Sequence, residues 1–141
     1  MHQHEVDLPH AEITAPIIGA FYDVYRELGY GFSELVYRRA LAIALRQHGL
    51  EVAEEQMISV TFRGFTIGTF YADLIVGGVI LVEVKSSSTI EKYAEAQILN
   101  YLKAAGGGVG LLLNFGREAI YKRFAMGDNL AESLPGLRSQ S

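Results

Sequence analysis

Asp73, followed ten residues later by Glu83-Val84-Lys85, sets two carboxylates and an ammonium beside a run that is otherwise apolar, Val79-Ile80-Leu81-Val82. A strand covered on both faces reads as a continuous apolar run, so charged side chains at its end need partners or a bound ion to offset their desolvation. Magnesium takes a few hard oxygen ligands and retains several waters, so two carboxylates and a substrate phosphate are enough to bind it. Such an ion lowers the pKa of a bound water and neutralises charge developing on a phosphate during in-line attack. A compact lysine beside it can hold the water or the phosphate. These residue types at this spacing can build a magnesium site with a built-in ammonium.

Whether the two acids meet is a question of parity. Glu83 and Lys85 are two apart on a strand and share a face. Pairing around a two-residue Gly77-Gly78 loop would put Asp73 on the other face, whereas a three-residue Gly77-Gly78-Val79 turn, or a bulge beside Asp73, would bring it to Glu83. The glycines make either arrangement accessible. Without a metal, converging carboxylates repel, and at least one is expected to hold its proton to higher pH.

The elements that must position these residues follow from period and punctuation. Pro16 and Gly29 bound a helix from about Ala15 to Leu28, with Ile17, Ile18, Phe21, Val24, Tyr25 and Leu28 inward. Ser33 is the expected N-cap of a second helix, Glu34 to His48, stopped by Gly49. Met57 to Phe62 alternates as a strand, Arg63-Gly64 turns, and Phe65 to Val76 continues extended with a bend or bulge at Gly68. A third strand runs from Val79 to Ser86. Ser88 and Glu91 form the pattern of a capping box opening a helix from Thr89 to about Ala105, ended by Gly106-Gly107-Gly108. Val109 to Phe115 is a buried-type strand and Ala119 to Phe124 an edge strand. The sum is an α/β chain of the α+β kind, a mixed sheet with helices packed against it. The expected domain is 14–126, with tails at 1–13 and 127–141.

Three further residues offer polar groups to the site. The inward stripe of the third helix, Ile90, Ala94, Gln97, Ile98, Tyr101, Leu102 and Ala105, contains an amide and a phenol one turn apart, and buried polar tips require partners. Glu34, in Gly31-Phe32-Ser33-Glu34-Leu35-Val36-Tyr37, is a third carboxylate, although an acid in a first turn is also explained by the helix dipole.

Composition narrows the classes. The chain has 141 residues, half of them hydrophobic, enough for one domain with a sizeable core. With no cysteine there is no disulfide framework, thiolate zinc site or thiol nucleophile. His2, His4 and His10 fall in the expected tail and His48 near a helix end, so histidine does not build the metal site. No apolar run approaches the roughly 20 residues that span a bilayer, and Met1-His2-Gln3-His4-Glu5 lacks a signal-peptide profile, so a cytoplasmic protein with no membrane partner is expected. A net charge of −4 gives no global positive field, and any nucleic-acid footprint must be local. Its candidates are Arg38, Arg39 and Arg46, then Lys92 and Lys103, then Arg117, Lys122 and Arg123.

The pattern Gly31-x-x-Glu34-x-x-Tyr37, preceded by Ile17-Ile18-Gly19 and Tyr25-Arg26-Glu27-Leu28-Gly29, resembles the GxxExxY protein family, a branch of the PD-(D/E)XK nuclease superfamily. The resemblance continues through Tyr71-Ala72-Asp73-Leu74, Val82-Glu83-Val84-Lys85, Ala96-Gln97-Ile98-Leu99-Asn100-Tyr101-Leu102 and Gly110-Leu111-Leu112-Leu113-Asn114-Phe115-Gly116, covering about residues 14–124. It implies a restriction-endonuclease-like core. Asp73 and Glu83 would hold a divalent metal, Mg²⁺ or Mn²⁺, with the Val84 carbonyl as a further ligand, and Lys85 would position or activate the attacking water. Glu34 would match the first-helix acid of the superfamily and join the metal set. Gln97-x-x-x-Tyr101 is similar to an element of RecB-like nucleases that organises the site. Tyr25 departs from the pattern, since many relatives carry His in that stretch.

The implied function is a metal-dependent nuclease acting on DNA, with RNA second. The alternatives are a catalytically silent nuclease-fold module that binds nucleic acid or a protein, and a structural core in which Lys85 merely neutralises Asp73 and Glu83. A domain of this size would cut both strands of a duplex only as a homodimer or in successive events.

Overall fold

In the computed structural model, which describes residues 10–127, helix α1 (Ala11–Leu28) buries Ile17, Ala20, Phe21 and Val24 at helical spacing. It starts four residues before the expected Ala15. The His10 carbonyl accepts the Ile13 and Thr14 N–H groups, so Pro16 lies inside the helix and residues 11–13 are not a tail. Helix α2 (Glu34–Gln47) begins at the expected cap, where the Ser33 hydroxyl accepts the Val36 N–H at 3.4 Å. His48 is its last, half-helical residue and Gly49 takes the left-handed φ of 84°.

The sheet comprises β1 (Val52–Phe62), β2 (Phe65–Val76), β3 (Ile80–Lys85), β4 (Gly108–Phe115) and β5 (Ala119–Met126), in spatial order β1-β2-β3-β4-β5. Strands β3 and β4 are parallel, joined through α3 (Lys92–Ala104), and every other pair is antiparallel. Helices α1 and α2 cover one face over Leu74, Val76, Ile80, Val82, Leu111 and Leu113. On the other face, α3 packs Ile98 and Leu102 against Ile75, Leu81 and Leu112. Both central strands are thus apolar on both sides. This is the expected α+β mixed sheet between helical layers, a restriction-endonuclease-like core.

Register settles the parity question. Val76 pairs with Ile80, so Gly77, Gly78 and Val79 form a three-residue turn, with both glycines at positive φ. Asp73 and Glu83 therefore stand at the same level. The paired register of β2 and β3 stops one step earlier, at Leu74 and Val82. Past that point β2 stays paired with β1 alone, and the two continue as a ribbon to the Phe62–Phe65 end. A register shift between Val60 and Thr61 lies beside Gly68, where a bulge was expected.

Two boundaries differ from those read in the sequence. Strand β1 begins at Val52, five residues before Met57, and passes through Glu55 at a left-handed φ of 51°. Helix α3 begins at Lys92, not Thr89, and its N-cap Glu91 makes no side-chain capping bond. The Ser88–Glu91 capping box does not form, and the chain just before it is tied to β4. The buried Asn114 amide takes both the N–H and the carbonyl of Ser87, each at 2.9 Å. The expected tails outside 10–127 lie beyond the described residues. Among the described residues, no helix is long and apolar enough to cross a membrane.

Candidate active site

Where β2 parts from β3, side chains take over from the backbone ladder. The Asp73 N–H donates to Glu83 Oε2 at 3.0 Å, and the Val84 N–H donates to Asp73 Oδ2 at 2.7 Å. Each carboxylate has one oxygen held by a backbone donor, leaving Asp73 Oδ1 and Glu83 Oε1 for another ligand. Glu83 is buried, and its pKa is pushed up to about 8, first by that burial and then by the neighbouring Asp73 charge. Asp73 is also raised, mainly by burial. The Val84 N–H, Lys85 and Arg38 work against this, and Glu34 reinforces it.

The third member of the run is tethered separately. Lys85 Nζ donates to Gln97 Oε1 at 3.1 Å, and Gln97 Nε2 donates to the Tyr101 hydroxyl at 2.8 Å. This chain fixes which way the Gln97 amide points. Gln97 and Tyr101, one turn apart on α3, are thus bonded to each other and, through Gln97, to Lys85. Tyr101 lies near enough to the acids that the Glu83 and Asp73 charges add to the burial that raises its pKa.

Glu34 is placed differently. Among the described residues, no three His, Asp or Glu side chains gather closely enough to cage an ion alone. Glu34 acts on Asp73 and Glu83 through its charge, and it shares with Lys85, Ser87 and Tyr93 a hollow of about 200 Å³. Two larger hollows, of about 520 and 460 Å³, contain neither carboxylate of the pair. Chemistry, not volume, locates this site.

One residue matters here that sequence reasoning did not assign. Asn114 fixes the segment that follows Lys85, and its signal was a lone amide in an all-apolar strand. Arg38, read as a nucleic-acid contact, instead pairs with Glu55 at 3.3 Å and approaches Glu54 at 3.9 Å, and Arg46 pairs with Glu54 at 3.0 Å. Two of the three basic residues of α2 are thus directed at β1. Tyr25 has its hydroxyl 2.8 Å from the Gly116 carbonyl and 2.6 Å from that of Arg117, tying α1 to the β4–β5 turn.

A family model described as the PD-(D/E)XK nuclease superfamily matches residues 11–124. The chain belongs to the PD-(D/E)XK nuclease superfamily. No curated protein matches the sequence. Among solved structures, the crystal structure of SSO0001 is similar in fold, with a TM-score of 0.50 and 16% identity over 64% of this chain. The chain spans about half of that protein, 48% of its length.

A divalent cation fits the donor set of this superfamily member. The carboxylate pair offers two hard oxygens, and each acid is driven toward its protonated form by burial and by like charge, which a cation would relieve. The Val84 N–H is committed to Asp73, which places the Val84 backbone beside the pair.

Proposed function

We propose that this chain is a divalent-metal-dependent nuclease that hydrolyses phosphodiester bonds, with DNA as first substrate and RNA as second. The observation that carries the reading is the convergence of Asp73 and Glu83 where β2 leaves β3, with Lys85 anchored two residues on. Asp73 and Glu83 would hold Mg²⁺ or Mn²⁺, joined by the Val84 carbonyl, and the ion would supply charge neutralisation at the phosphate and a more acidic water. Lys85 donates to the attacked phosphate or orients the water, and Gln97 holds the ammonium in place for either task. Tyr101 fixes the Gln97 amide. Glu34 adds negative charge on the Lys85 side of the pair and favours retention of the ion and its waters. The GxxExxY likeness and the RecB-like Gln97/Tyr101 spacing support the same assignment. The proposed domain is 14–126, extended to Ala11 by the first turn of α1.

Cleavage of single- and double-stranded DNA and RNA in magnesium, manganese or EDTA tests the reading. Metal-dependent cutting by the wild type, lost in Asp73→Asn and reduced by about 10²–10³ in Lys85→Ala, is expected. Cutting that survives both substitutions would remove this site from the reaction.

A silent binding module is the second reading, favoured by the net charge of −4 and by the engagement of Arg38 and Arg46 with β1 acids. It predicts binding without cutting under every metal condition, by a wild type that melts cooperatively.

A further inference from the structure

Beyond the carboxylates, the β1–β2 ribbon and the C-terminal half of α3 enclose a cleft of about 460 Å³. Phe70 and Tyr101 line it, stacked on each other with centroids 3.7 Å apart and planes within 9°. Val60 and Thr61 form the ribbon side, and Asn100 and Lys103 the helix side. No acidic side chain lines the cleft, although the protein is acidic overall. Gly68 pairs across from Val60 and so presents no side chain on that face, which leaves the ribbon wall open.

A chain of hydrogen-bonded side chains links the cleft to the candidate active site. Tyr101, which lines the cleft, accepts from Gln97, which in turn accepts from Lys85. Resting on the nuclease reading above, we propose that this cleft receives an unpaired nucleobase of the substrate strand, next to the nucleotide whose phosphate reaches Asp73, Glu83 and Lys85. The substrate class is accordingly single-stranded nucleic acid, or a duplex end or flap with unpaired bases.

Aromatic surface takes any base by stacking, Lys103 at the rim meets the adjoining phosphate, and the Asn100 amide can bond a base edge. A continuous duplex does not suit this shape, because its base faces are covered by their neighbours and only base edges and backbone are presented. The ribbon bears a single charged residue between Met57 and Ala72, Arg63, which suits a polyanionic strand passing along it.

The test uses the full chain in EDTA, where binding is separated from cutting. Fluorescence anisotropy compares a labelled single strand, the same sequence as a blunt duplex, and a duplex with an overhang. A strand containing 2-aminopurine reports stacking by quenching. Wild type is expected to favour the single strand and the overhang over the blunt duplex by about tenfold, the size of one base stack, and to quench 2-aminopurine.

Gly68→Leu narrows the cleft without backbone strain, since an added Cβ meets nothing within 4 Å and the φ is ordinary. Lys103→Glu changes only an exposed side chain. Both are expected to lower single-strand affinity by about tenfold and to leave blunt-duplex affinity within about twofold. Unchanged single-strand affinity in both variants, absence of quenching in wild type, or a concentration-dependent dimer that Gly68→Leu dissolves would each overturn the assignment. The two readings fail separately. Metal-dependent cutting with no effect of these substitutions on binding refutes the cleft alone; single-strand binding lost in the variants, without cutting in any metal, refutes the nuclease alone.

Discussion

Burial that makes Glu83 keep its proton also makes a cation welcome there. An unfolded glutamate titrates near 4.5 and the folded one near 8, so between those values the unfolded chain has lost a proton that the folded one retains. The stabilising contribution of protonated Glu83 is complete below pH 4.5 and is lost as pH rises through about 8, and Asp73 shifts in the same direction. Metal-free protein should therefore lose Tm across this window. Millimolar magnesium should restore it, by a few degrees near pH 8 and by little near pH 5, where protons compete for the same oxygens. Thermal melts across that range, with and without magnesium, check both statements; a flat Tm indifferent to magnesium would contradict them. Asp73, Glu83 and Lys85 were legible because charge inside an apolar run is costly unless it has a task. The supporting role of Asn114 was not, because a single amide in a strand gives no sign of which distant backbone it will bind.

The turn between β2 and β3 shows how an element decides chemistry. Counting residues around Gly77-Gly78 left two faces open for Asp73, and the three-residue turn selects the one shared with Glu83. Helix boundaries were less legible where long-range contacts override local signals. Ser88 and Glu91 have the spacing of a capping box, yet Asn114 ties down the Ser87 backbone and α3 starts only at Lys92. Likewise Val52-Ala53-Glu54-Glu55-Gln56 carries no alternation of apolar and polar residues, yet it pairs with β2 in one register from Val52↔Val76 to Gln56↔Ala72. Asn114→Leu removes the partner of two Ser87 backbone groups and should destabilise the fold by about 2–3 kcal/mol. Chemical denaturation measures this, and a change below about 0.5 kcal/mol would mean that the Ser87 latch contributes little.

For the whole molecule, the mixed sheet between two helical layers was readable from element order, and the family match over residues 11–124 agrees. The basic footprint was not, because sequence cannot tell a free arginine from one paired across elements, as Arg38 and Arg46 are. With net charge −4, nucleic-acid affinity should fall only gently with salt, with a log–log slope smaller in magnitude than about 4. Anisotropy titrations over a salt series measure it, and a slope near ten would contradict it. The junction where β2 leaves β3 has one more consequence. Asp73 and Glu83 double as stitching for the sheet, since each satisfies a backbone N–H that no neighbouring strand reaches. A descendant that stopped cutting would still be under pressure to keep both acids, whereas Lys85 ties down no backbone and would be free to drift. On the nuclease reading proposed above, lysine rather than the acid pair would be the residue whose presence separates working members of such a lineage from retired ones.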